Sequence, residues 1–257
     1  NTFQYNMKTF GAICLLATLA TAVSAFDGSD VKDLVLNGMC IKCDLNGVDL
    51  TAKDFQDSDL RGSSMVGANL KEVNLTGANL TGANLTGANL TQARLTGANL
   101  TEVGMVGAGL VGADLTDANM NRANLTGANL SASLLTKTNL RQAILIGANL
   151  ERADLSGATL IQANLSYANL FEANLKRADL TDSGLVMANL SYADLEGANL
   201  TRADLTKVNF SRSNLTKANL SYAKMVESDL TSSRLDGTIF CKTELPQGSQ
   251  DNQGCKH

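Results

Sequence analysis

Five cysteines and one histidine, His257, hold nearly all the reactive potential of this 257-residue chain. Cys40-Ile41-Lys42-Cys43 has the spacing of a redox dithiol, half of a zinc site or a short disulfide. A redox dithiol of the thioredoxin kind needs a βαβ context, and none surrounds it. A closed zinc site needs four ligands, yet there is no second Cys-x-x-Cys and the histidine lies at the far end. The disulfide is the reading that remains. Cys241 and Cys255 flank a polar loop and are expected to close it in the same way. Asp57 and Asp59 come nearest to a carboxylate pair, but nothing apolar surrounds them to raise a pKa. Serines and threonines abound without a base to activate them. No catalytic residue, metal site or cofactor is assigned, and an enzyme is not expected.

The stretch that must position these residues repeats every five positions. Leu75-Thr76-Gly77-Ala78-Asn79-Leu80-Thr81-Gly82-Ala83-Asn84-Leu85 is a clean sample, and from Leu45 to Leu245 every fifth residue is Leu, Met or Phe. A helix would swing such a row round by about 140° per step, and a strand alternates with period two, so neither buries it. The chain must turn after each short extended piece. The Leu and the small residue two before it then face inward, as with Leu80, Leu85, Leu90, Leu130, Leu150, Leu170 and Leu190. The Asn or Asp between them and the Thr or Ser after the Leu, Thr126 included, are expected to face water. Gly in the fifth place supplies a corner at low conformational cost. Four such sides make a twenty-residue coil that stacks at strand spacing, about 4.8 Å.

These residues resemble the pentapeptide-repeat family, whose pattern is A-(D/N)-L-x-x, over about four fifths of the chain. The resemblance implies an all-β fold, a right-handed quadrilateral β-solenoid, and about forty repeats at four to a coil give it about ten coils. Residues 40–240 are assigned to the solenoid, 26–39 to an N-terminal cap and 241–257 to a C-terminal capping tail. Within the cap, Ser29 is expected to start a short helix over Asp30–Leu36. Cys40 and Cys43 fall at inward phases, so both sulfurs are expected inside.

Residues 1–25 read as a cleaved signal peptide: Lys8 ahead of an apolar run, then Val23 and Ala25 as the small residues before the cut, with residues 1–6 as extras before Met7. The apolar run is short for a membrane span, and Ile13 before Cys14 speaks against a lipidated cysteine. Export and four remaining cysteines support each other, since disulfides persist outside the reducing cytosol. The resemblance extends to exported cyanobacterial members with a similar Cys-x-x-Cys start and Cys-flanked tail. It implies periplasm, thylakoid lumen or cell exterior. Asn-Leu-Thr and Asn-Leu-Ser sites such as Asn74 and Asn164 are by-products of the repeat.

The surface is left as the working part. A net charge of −4 is too mild for a nucleic-acid binder or a strong mimic of one. Arg202, Lys207, Arg212 and Lys217 share one phase on successive sides, a candidate belt for an anionic partner. The plainer reading is a solvated ring balanced by Asp204 and Glu196. Tyr167, Tyr192 and Tyr222 fall at the corner phase of different sides. The expectation is a non-catalytic scaffold that binds an unidentified protein, is monomeric, and has no membrane span once processed. Two alternatives stand beside it: a DNA-mimicking regulator of gyrase, as the resemblance allows, and a surface adhesin.

Overall fold

A computed structural model describes residues 28–252 and 254–255 of the chain. The expected signal peptide, 1–25, and His257 lie outside the described residues. Parallel bridges link residues twenty apart from Met39↔Asp59 to Lys224↔Glu244, so the chain returns over itself every four repeats. The repeat Ala78–Gly82 shows why the coil closes. Asn79 donates its N–H back to Ser58 O, while Leu80 and Gly82 donate forward to Asn99 O and Thr101 O. Ala78 N–H turns back to Leu75 O. The one N–H left, on Thr81, donates to the side-chain oxygen of Asn79 at 3.2 Å. All five N–H groups of the repeat are thereby satisfied, as buried backbone requires.

That last bond explains the Asn/Asp position: the side chain, half-buried at Asn79 and Asn124 and water-facing as expected at Asn84, Asn89 and Asn129, also serves as a backbone acceptor. It also takes the hydroxyl of the Thr two residues on, as in Thr126 Oγ1 to Asn124 Oδ1 at 2.7 Å. Thr126 is accordingly half-buried and hydrogen-bonded rather than solvated. The sequence respects this pairing. Val or Ile takes the Thr place only where Asn/Asp is missing: Ser64/Val66, Gly104/Val106, Gly109/Val111, Ile144/Ile146, Thr159/Ile161, Gly184/Val186 and Lys224/Val226. In these seven repeats a hydroxyl without its acceptor gives way to an aliphatic side chain, whereas Thr96 and Thr136 persist after Arg94 and Leu134, Thr96 donating to Asp114 of the next coil at 3.0 Å.

Each side has one bridging residue between turns, too short for a continuous strand. The exceptions among the described residues are β1 (Thr243–Glu244) and β2 (Gln250–Asp251), an antiparallel pair in the tail. Every corner takes positive φ, whether it is Gly82 (66°) or a bulky residue such as Tyr192 (60°) or Arg212 (59°). A left-handed non-glycine residue costs about 1–2 kcal/mol. The corner N–H bond to the next coil helps to hold it there.

The core is one row of large side chains beside one of small ones. Leu80, Leu85, Leu90, Leu130, Leu150, Leu170 and Leu190 are fully buried, as are Met65, Met105, Met225 and Phe210. At the C-terminal end the packing opens. Leu235 is 37% exposed, and a recess lined by Leu230, Phe240 and Leu245 lies beside it. At the other end, helix α1 (Gly28–Asn37) buries Val31 and Leu34 against the first coil. It begins before Ser29, which therefore lies within the first turn instead of ahead of the helix. Among the described residues no helix is long and apolar enough to cross a membrane.

Candidate interaction surface

Both cysteine pairs are joined. Cys40–Cys43 closes across a Cα separation of 5.4 Å and Cys241–Cys255 across 4.7 Å. Cys40 is buried, but Cys43 is half-buried, so only one of the two sulfurs expected inside lies fully there. The second bridge ties the tail back to the last coil, next to β1 and β2. No group of three or more His, Cys, Asp or Glu among the described residues could hold a metal ion.

Arg202, Lys207, Arg212 and Lys217 occupy four successive corners of one coil and point in four directions. Their partners are not Asp204 and Glu196. A side chain meets its neighbours along its own column, twenty residues away, more readily than across a corner. Arg202 grips Asp182 through two bonds of 2.6 and 2.7 Å, and its guanidinium holds the Asp182 carboxyl below the usual range. Lys207 pairs with Glu227 at 3.3 Å. Glu196 and Asp194 both hold Lys176 instead, and the hydrogen bond to Asp194 is the larger reason the amine's pKa is raised. The belt is thus a set of separate, partly neutralised charges.

Arg212 has a different environment. Its guanidinium lies 5.4 Å from the centre of the Tyr192 ring and donates to the Tyr192 hydroxyl. Tyr192 in turn meets Phe171 edge to face, with centroids 5.4 Å apart. The three come together because Tyr192 and Arg212 share a corner column one coil apart, while Phe171 precedes the corner one coil below. In sequence the tyrosines are dispersed over different sides and Phe171 does not stand out. The separations of 20 and 21 residues were the signal that unites them. An aromatic pair capped by a guanidinium, half-exposed on a rigid frame, is the composition that protein contacts favour.

Similarity searches agree with this architecture. The profile described as Pentapeptide repeats matches in overlapping copies from residue 40 to residue 231. HetL, a pentapeptide repeat protein involved in heterocyst differentiation regulation in the cyanobacterium Nostoc sp. strain PCC 7120, is 30% identical. That match covers 88% of this chain and 100% of HetL, with a TM-score of 0.74. QnrB1, a plasmid-mediated fluoroquinolone resistance protein, is 16% identical over 74% of this chain and 90% of its own, with a TM-score of 0.40. A pentapeptide repeat protein from the Arabidopsis thaliana thylakoid lumen is 34% identical over 40% of this chain and 71% of its own, with a TM-score of 0.23. Nothing among the curated proteins matches.

Proposed function

The chain belongs to the pentapeptide-repeat family, a right-handed β-solenoid, and we propose that it is a non-catalytic, exported scaffold that holds a protein partner on its outer surface. The rod has about ten coils, with α1 as its N-terminal cap and the tail beyond Phe240 as its C-terminal one. The observation that carries the reading is the Phe171–Tyr192–Arg212 cluster. It sits on a backbone whose repeating hydrogen bonds leave little conformational entropy to lose on binding. Two disulfides support an oxidising compartment. Cleavage after Ala25 would deliver the chain there, to periplasm, thylakoid lumen or cell exterior.

Affinity capture from the exported fraction of the native cells tests the contact. Wild type and a Tyr192→Ala/Arg212→Ala variant are compared at equal loading. Proteins retained by the wild type and lost by the variant are expected; an identical set on both would refute the assignment. Tyr192 and Arg212 are exposed corner residues, so the fold should survive the change.

A further inference from the structure

One side of the solenoid carries no charge over most of its length, apart from the corner column at its leading edge, where Arg122 is paired with Glu102 and Asp182 with Arg202. Its outward positions are the bridging residue, the residue two further on and the corner, as in Asn124, Thr126 and Gly127. From Asn46 to Met187 none of these is Asp, Glu, Lys or Arg, although each of the other three sides is charged over the same coils. Of the twelve exposed large apolar and aromatic side chains among the described residues, five stand here: Val66, Val106, Ile144, Tyr167 and Met187. Glycine occupies the corners from Gly47 to Gly147, so nothing projects from that edge.

The order of residues on this side has a symmetry. Read up the middle column, Val66, Thr86, Val106, Thr126, Ile146, Ser166 and Val186 are the same in chemical type from either end, with Thr126 at the centre. A two-fold axis lying across the rod at Thr126 would set a second copy antiparallel, each column facing itself. Val106 then meets Ile146, Val66 meets Val186, and Asn84 meets Asn164. Every bulky residue outside the middle column meets a glycine: Met187 faces Gly67, Tyr167 faces Gly87 and Ile144 faces Gly104. At Gly67 and Gly87 the space a Cβ would take is open. The uncharged stretch even ends symmetrically, at Asp44 and Asp204, four coils either side of Asn124. Those two carboxylates would face each other at the wet rim, with Lys207 beside them, where solvent screens the repulsion.

We propose that this side is a self-complementary interface through which two copies of the chain pair antiparallel about Thr126, in place of the monomer expected from sequence. An isologous contact requires a patch that matches itself under a two-fold rotation, and this one does. A charged partner would bury unpaired charge against it. Seven coils at about 4.8 Å and three residues at about 3.3 Å give a footprint of roughly 34 by 10 Å, well under the ~800 Å² per partner of a standard interface. The dimer is therefore weak and concentration-dependent. The Phe171–Tyr192–Arg212 cluster lies on another side and stays free, so this inference does not rest on that contact.

Sedimentation of the full chain, disulfides intact, from about 10 µM to about 1 mM tests it. Wild type should pass from monomer towards dimer. Thr126→Arg, which sets two like charges on the axis, should weaken association at least tenfold, whereas Thr116→Arg on the opposite side should not. The variant should fold, because Lys71, Arg141 and Lys176 occupy the same phase elsewhere. Register is read by cysteine cross-linking. Thr126→Cys should link to itself, and Thr86→Cys should link to Ser166→Cys but not to itself. A monomer throughout, a dimer indifferent to Thr126→Arg, or cross-linking at Thr116→Cys equal to that at Thr126→Cys would each overturn the proposal.

Discussion

The Asn–Thr pairing inside each repeat can be tested by a double-mutant cycle at Asn124 and Thr126. Asn124 Oδ1 accepts two bonds, from Thr126 N–H at 3.1 Å and from Thr126 Oγ1 at 2.7 Å. At about 1 kcal/mol net per hydrogen bond, Asn124→Ala should cost about 2 kcal/mol and Thr126→Val about 1 kcal/mol. The double variant loses those same two bonds, so it should cost about 2 kcal/mol, not the ~3 kcal/mol of the sum. The coupling of about 1 kcal/mol is the hydroxyl bond counted once. Neighbouring coils already carry the double replacement in Gly104/Val106 and Ile144/Ile146. Equilibrium urea unfolding of the four chains, compared at matched m-values, measures the cycle. Additivity within about 0.3 kcal/mol would mean that the Asn/Asp position is not there to hold the Thr, and the explanation of the Val/Ile substitutions would fall.

Other outcomes follow from the same geometry. Leu130→Ala, at a fully buried position between stacked layers that cannot close up, should cost about 3–5 kcal/mol in the same assay. An effect no larger than that of Thr126→Val would contradict the inward row. Gly127 (φ 64°) and Ala132 (φ 54°) are adjacent corners, and a Cβ at Gly127 would touch nothing. Gly127→Ala should therefore destabilise, and Ala132→Gly stabilise, by about 1 kcal/mol each, and thermal melts showing the same sign for both would refute the strain. Acid should also destabilise the rod. The carboxyls of Asp49 and Asp229 sit below their ordinary value, chiefly because the Thr51 and Thr231 hydroxyls donate to them. At Asp114 burial pushes upward, but hydrogen bonds from Thr116 and Thr96 outweigh it. Groups with lowered folded pKa contribute stability that is fully present above the unfolded carboxyl value near 4 and lost as pH falls through the folded one. Melting temperature should hold from about pH 7 to about pH 5 and drop below about pH 4, less steeply in Asp229→Asn; a flat profile would contradict these shifts.

The fivefold period made the inward Leu row and the twenty-residue coil legible from sequence, because each depends on residue type at a fixed phase; the cysteine pairs were legible from the absence of other partners. The bonds of the Asn/Asp position were not, since an amide facing water and one accepting a backbone N–H have the same phase. The belt shows the same limit. Arg202 was matched with acids near it in sequence, while its partner Asp182 lies one coil away. The start of α1 was missed because Ser29 has the composition of a cap without marking the end of the helix. Phe171 went unnoticed because its value comes only from Tyr192 and Arg212 stacking along the rod.

Export into an oxidising compartment, the setting proposed for the scaffold, is tested most directly by the intact mass of the non-reduced protein from its own cells. It predicts residues 26–257 at about 4 Da below the fully reduced chain, the loss of two hydrogens for each of two disulfides. A chain that still carries the 1–25 segment, with all its thiols free, would contradict it.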